Sequence, residues 1–177
     1  VQNLLIDAYG NIWAGTLNGI CKFNQSTNTF RRYFPTPTKY STNLKIPAYS
    51  TIRLFETTAN ELYAVVEHSI YRFNPNKNTF EITTIDLKSI AVIPRNILED
   101  VDSTWWMATT TGILHVNKHT GLLDEKRLSA LNEKYFKTDQ LYSMLKEDDE
   151  HFWVGTGNSG LYLFNKKKIS IEANYTE

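Results

Sequence analysis

One cysteine, Cys21, stands alone in 177 residues. No intrachain disulfide can form, and a zinc site of the multi-cysteine kind is excluded. That lack leaves the compartment open, because many exported bacterial proteins also do without disulfides. Neither sign of charge is in excess, with 19 Lys and Arg against 19 Asp and Glu. Nucleic-acid binders usually carry a basic surplus, so that class of partner is disfavoured. The one short basic run, residues 166–168, follows Asn165 and reads as a solvated hairpin turn. No apolar run approaches the length of a membrane span. Residues 1–7 hold no basic stretch and no apolar signal core. They already look like the repeat described below. The chain is therefore expected to be a piece of something longer, tied to a membrane only through that parent. What it has in plenty is aromatic side chains, 13% of all residues, which suits a β-rich protein.

Four stretches say nearly the same thing. They are NIWAGTLNGICKFN (residues 11–24), ELYAVVEHSIYRFN (61–74), WWMATTTGILHVN (105–117) and FWVGTGNSGLYLFN (152–165). Trp13, Tyr63, Trp106 and Trp153 are equivalent, at spacings of 50, 43 and 47 residues. That period fits a four-stranded propeller blade better than a helical repeat. The first unit divides into strands near residues 3–7, 11–16, 19–24 and 29–33. FNQSTNTF and FNPNKNTF repeat almost literally and supply Asn-rich turn chemistry between the third and fourth strands.

A helix is excluded because the apolar positions do not recur at three and four. A half-exposed sheet is excluded because Ile12, Trp13 and Ala14, like Trp105, Trp106 and Met107, are apolar on both faces. Blades that stack face to face explain such runs. The tryptophans are then inter-blade core. The small residues Gly15, Ala108 and Gly155, with Val65, would leave room for a neighbouring blade's aromatic. The expected fold is all-β, a β-propeller of four-stranded antiparallel blades, with blades at 1–49, 50–94, 95–139 and 140–177. Each blade is read as carrying its own four strands, the last being KISIEA in the fourth. No closing latch is visible. The four blades are expected to belong to a larger, seven-bladed propeller, or else to meet a second copy as a homodimer, since an open arc exposes apolar end faces.

IDAYGNIWAGTLNGICKFN resembles the two-component regulator propeller repeat. That pattern runs roughly D-x-x-G-N-h-W-h-G-T-x-x-G-h-x-x-F-(N/D), with h apolar. Asp7, Gly10, Asn11, Trp13, Gly15, Thr16, Gly19 and Phe23 match it. Blade four matches with one extra residue before Gly160, and blade three with Ala108 for glycine. Blade two departs most, with Tyr63, Val65 and Val66 for Trp, Gly and Thr. The resemblance covers nearly the whole chain. It implies the periplasmic part of a hybrid two-component sensor histidine kinase of gut bacteria, a class that commonly senses breakdown products of complex glycans. The fragment itself holds no nucleotide-binding motif and no phospho-accepting helix.

Catalytic chemistry has no clear carrier. His68, His115, His119 and His151 form neither H-x-H nor H-E-x-x-H, so no metal is expected. His119 and His151 fall in expected turns. The acidic clusters at 99–100 and 148–150 read as polar turn residues in water. No G-x-S-x-G and no phosphate loop is present, since GTGNSG joins two strands and opens no helix. No cofactor is implied. Ligand residues should collect on the long connections and second-to-third-strand turns of one face. The candidates are Asn18, Glu67, His68, Thr110 and Asn158 in turns, and Arg53, Arg95 and Tyr142 at the starts of first strands. The stiff segment PTPTKYST adds shape. Aromatic, amide and guanidinium groups suit a saccharide, stacking its C–H face and bonding its hydroxyls. A propeller-type lyase or hydrolase and a protein-interaction scaffold remain as alternatives.

Overall fold

The computed structural model describes residues 1–17, 19–33 and 52–176, apart from the side chains of Asp102 and Glu125. They form two units, Val1–Lys88 and Ser89–Glu177. The first unit holds two antiparallel sheets. One is β1 (Asn3–Ile6), β2 (Ile12–Thr16), β3 (Gly19–Asn24) and β4 (Thr29–Tyr33); the other is β5 (Ile52–Glu56), β6 (Leu62–Val66), β7 (Ser69–Asn74) and β8 (Thr79–Asp86). In the second unit β9 (Pro94–Glu99), β10 (Thr104–Thr109) and β11 (Gly112–Asn117) form a three-stranded sheet. There β12 (Leu141–Lys146), β13 (His151–Thr156), β14 (Leu161–Asn165) and β15 (Ser170–Tyr175) form a fourth, four-stranded one. Every sheet pairs neighbours in chain order, the meander expected of a blade.

The third sheet corrects the expectation of four strands in each blade. Its fourth strand shrinks to the single bridge Val116–Leu123, and the chain then turns into helix α1 (Glu125–Tyr135). Leu128, Leu131 and Tyr135 recur at three and four and line one face. Leu128 and Leu131 are buried there with Phe136, Leu141 and Tyr162. At the Ile113 end of β11 the edge that a fourth strand would pair is met by a side chain instead. Asn132 accepts from the Ile113 amide at 2.9 Å and donates to the Ile113 carbonyl at 2.8 Å. One amide thus imitates one rung of a ladder, satisfying groups that would be costly to leave unpaired. A Cβ on Gly112 would sit 2.5 Å from that amide, so Asn132 requires glycine there.

The repeat motif has a physical basis at both turns of the blade. In the first turn a carboxylate six residues before the aromatic takes its polar hydrogen. Asp7 accepts from the Trp13 indole at 2.8 Å and from the Asn11 amide at 2.8 Å. Asp100 accepts from Trp106 at 2.9 Å, and Glu147 from Trp153 at 2.5 Å. Blade two replaces both partners. Thr57 binds the Glu61 amide, and Glu61 accepts from the Tyr63 hydroxyl at 3.1 Å. In the last turn Asn24, Asn74, Asn117 and Asn165 each accept from the amides two and three residues on. Four residues after each, Asn28, Asn78, Gly121 and Ile169 take positive φ. Ile169 puts a β-branched side chain in a region that disfavours it, where it packs against the core of the second unit.

Two of the four aromatics are inter-blade core as expected. Trp13 is buried against Phe73 and Phe80 of the next sheet, at centroid distances of 5.1 and 5.8 Å. Trp106 is buried against Phe152 and Phe164 of the fourth sheet, at 5.9 and 5.4 Å. Tyr63 stacks on Phe55 within its own sheet. Trp153 departs from expectation, standing half-buried beside Tyr175 because no later sheet among the described residues covers it. Gly15 also departs: a Cβ there would meet the Ile52 carbonyl at 2.8 Å. Its smallness admits the backbone of the next blade's first strand, and not an aromatic ring. Leu4 and Ile6 on β1 and Leu145 on β12 are exposed.

Charged residues read as solvated are partly buried. Lys166 is only 8% exposed and pairs with Asp100. Glu99 holds Lys118 at 2.9 Å with both side chains nearly covered. Only Lys167 and Lys168 of the basic run are exposed, paired with Glu150 and Glu172.

Candidate functional site

The second unit brings two of the expected residues into direct contact. Arg95 and Tyr142 are each the second residue of a first strand, β9 and β12, which lie side by side. The Arg95 guanidinium lies 4.8 Å over the Tyr142 ring and donates to the Gln140 Oε1 at 2.8 Å. Tyr142 keeps half its surface in solvent. Such a cation on a ring is worth about 0.5–1 kcal/mol at an exposed site and fixes both groups.

The turn after β13 closes on the same place. Asp139 is nearly buried and gathers its amides: Gly157 at 3.2 Å, Asn158 at 3.1 Å and Ser159 at 2.8 Å. It also accepts from the Asn158 side chain at 3.3 Å and the Gln140 amide at 2.8 Å. Burial alone would raise its pKa. The bonds from Ser159, Asn158, Thr156 and Gln140 outweigh burial and bring it down to about 2. A Cβ on Gly157 would stand 3.0 Å from the Tyr142 ring and 3.1 Å from Asp139. The result is a fixed exposed ring, a fixed guanidinium and an amide-bearing turn in one patch.

We expect Asp139→Ala to release this turn and to cost about 2 kcal/mol, since three part-buried amides lose a charged acceptor. The folded-state pKa of Asp139 is depressed. Its contribution is therefore complete above about pH 4, the ordinary carboxyl value, and fades as pH falls toward 2. Urea unfolding of wild type and variant at pH 7 and pH 2.5 checks this. The difference between them should shrink at the lower pH.

The other expected residues stand apart from this patch. Thr110 is used to fasten the connection before β9, donating its amide to the Ile93 carbonyl at 3.2 Å and accepting from the Ile93 amide at 3.3 Å. In the first unit Arg53 lies on β5, with its guanidinium on the Ile52 carbonyl at 3.4 Å. Glu67, at φ +53°, and His68 form the β6–β7 turn. Both border a groove of about 430 Å³ with Tyr71 and Ile85 along the edge strand β8. Asn18 lies outside the described residues, as does the connection over residues 34–49 with its PTPTKYST segment. Asp139, Gln140 and Gly157 were not foreseen. Asp139 and Gln140 sit where two blades were divided, and Gly157 falls within blade four at a position the repeat pattern does not specify.

The histidines take varied places. His115 stacks on Trp106 at 4.2 Å, and burial holds its pKa down. His151 opens β13 and does not lie in a turn. Its two ring nitrogens face Asp148 at 2.9 Å and Glu172 at 3.0 Å, and the bond to Asp148 is the main cause of its raised pKa. Among the described residues no group of His, Cys, Asp or Glu is arranged to hold a metal ion.

No family model and no curated protein matches this chain. Solved structures do. The extracellular domain of the hybrid two-component system BT4673 from B. thetaiotaomicron matches 99% of this chain and 22% of its own length, with TM-score 0.71 and 18% identity. That of BT3049 from the same organism matches 100% of this chain and 24% of its own length, with TM-score 0.73 and 15% identity. YCF48 bound to D1 peptide matches 92% and 49%, with TM-score 0.60 and 14% identity. At these identities the likeness is one of fold: an all-β set of blades, part of a β-propeller. The chain spans less than a quarter of the two extracellular domains. Among the described residues no helix is long and apolar enough to cross a membrane.

Proposed function

We propose that the chain is part of the extracytoplasmic, periplasmic propeller of a hybrid two-component sensor, and that it recognises a glycan-derived saccharide without turning it over. The observation that carries this is the Arg95–Tyr142 pair beside the Asp139-held turn. An exposed ring suits the C–H face of a sugar, and the guanidinium with the Gln140 and Asn158 amides suits its hydroxyls. Fold likeness to sensor extracellular domains supports the same reading. Exposed Leu4, Ile6 and Leu145 are the faces that further blades of a parent chain, or a second copy, would cover. The signal would pass to a histidine kinase elsewhere in that parent.

A panel of neutral gluco-, galacto-, manno- and xylo-trisaccharides tests this reading. One of them should raise the melting temperature by a few degrees at saturating concentration, with no new reducing ends formed. Product release would favour a lyase or hydrolase. The peptide held by the YCF48 neighbour is the one observation on the side of an interaction scaffold. A shift by no sugar would leave that reading standing.

A further inference from the structure

The repeat supplies its own control for an unusual feature of the first blade. In each four-stranded sheet the aromatic of the second strand faces one residue on the third strand and one on the fourth. In the second sheet Tyr63 is followed by Arg72 and then Glu81, opposite charges. In the fourth sheet Trp153 is followed by Leu163 and Ala173. In the first sheet Trp13 is followed by Lys22 and then Arg31, two cations directly opposite each other. Like charges in that register are destabilising.

No carboxylate among the described residues forms an ion pair with either cation. The nearby acids are engaged elsewhere: Asp7 by Trp13 and Asn11, Glu56 by the Ala8 amide, Glu61 by Arg72. The surrounding stretch of sequence adds no acid of its own. Between Asp7 and Glu56 it holds Lys22, Arg31, Arg32, Lys39, Lys45 and Arg53 and no Asp or Glu, in a chain whose net charge is zero. The cations are positioned all the same. Lys22 lies 5.2 Å over the Trp13 ring, and Arg31 lies 5.1 Å over Tyr33. With its amide oxygen toward the guanidinium, Asn78 accepts from both Arg31 terminal nitrogens, at 2.8 and 3.0 Å. Lys22 and Arg31 line a groove of about 570 Å³ whose other walls include the exposed Tyr9, Asn24, Gln25 and Asn78.

We infer that this groove is a binding site for an oxyanion, a carboxylate or a sulfate, held between Lys22 and Arg31. Two fixed donors of one sign around a polar hollow are what such a group needs. The bound anion also cancels the repulsion that the empty register carries. The site lies in the first unit, at the β1–β2 and β3–β4 turns, and does not depend on the saccharide reading.

Calorimetric titration of the protein at fixed ionic strength tests it, with three probes: inorganic sulfate, a galacturonate trimer and a neutral galactose trimer. Sulfate or the galacturonate trimer should bind saturably. Lys22→Gln and Arg31→Gln should each weaken that binding about tenfold or more, as loss of a charge-assisted bond does. Lys167→Gln, an exposed cation of the second unit paired with Glu150, should leave it unchanged. Saturation by sulfate assigns a free anion. Saturation by the trimer alone assigns a carboxylate carried on a larger molecule. Both single substitutions should leave the melting temperature level or higher, since each relieves the like-charge pair. The inference is overturned if neither anion saturates, or if both substituted proteins bind like wild type. Binding of the neutral trimer with Lys22 and Arg31 both dispensable bears only on the site beside Tyr142.

Discussion

Trp13→Ala is expected to cost about 4 kcal/mol of stability, enough to unfold the first unit under mild denaturant. The side chain is 1% exposed and packs on Tyr33, Phe73 and Phe80. Its removal opens a cavity between two sheets that have no other large aromatic to fill it from β2. It also strips Asp7 of the indole donor. Asp7 is 8% exposed, so an unmet lone pair there is costly. Trp13→Phe separates the two effects. It keeps most of the packing, loses the hydrogen bond, and should cost about 1–2 kcal/mol. Urea unfolding followed by far-ultraviolet circular dichroism measures both. Equal losses for the two substitutions would show that the carboxylate–indole bond, and not the packing, holds the blades together.

The second large effect lies in the other unit. Lys166→Met is expected to cost about 3–5 kcal/mol at pH 7. It leaves the Asp100 carboxylate largely covered, with only Trp106 and backbone to face. In the native protein, burial pushes the Asp100 pKa up, while Lys166, the Val101 amide and Trp106 pull it further down. A depressed folded pKa means stability present above about pH 4 and lost as pH falls through the folded value. Removing the lysine reverses that balance, so the lone carboxylate gains by taking a proton. The deficit of the variant should therefore narrow between pH 7 and pH 3. A second substitution, Asp100→Asn, should recover part of the loss at pH 7 by removing the unpaired charge. Unfolding midpoints at the two pH values decide it. A deficit that stays constant with pH would mean that Lys166 acts through its packed stem alone.

The fold was legible because each blade repeats not only apolar positions but also the polar groups that shape its turns. Asp7, Asp100 and Glu147 stand six residues before the tryptophans of three sheets, and the turn asparagines do the same work in all four. The third blade misled because its fourth strand is replaced locally. Leu128, Leu131 and Tyr135 carry a helical period, but over barely three turns, and a strand was expected by analogy with the other blades. What Asn132 does for the edge of β11 could not be read from a lone asparagine. Asp100 and Lys166 looked solvated because each stands in the connection just after a strand. Their burial is a fact of tertiary contact across 66 residues, which a turn motif does not encode. At the candidate site Arg95 and Tyr142 were legible as equivalent positions in successive first strands. Asp139 was not, because its partners arrive from a turn 18 to 20 residues later.

The central claim is that the fixed ring and guanidinium beside the Asp139 turn take a saccharide. The most direct measurement is calorimetric titration of the protein with the neutral trisaccharide that shifts its melting temperature most, for wild type and Tyr142→Ala. The account predicts a single saturable site in wild type. In Tyr142→Ala, loss of one stacked ring should weaken it about tenfold, with the unfolding midpoint preserved because Tyr142 is half-exposed. Undiminished binding by the substituted protein would contradict it.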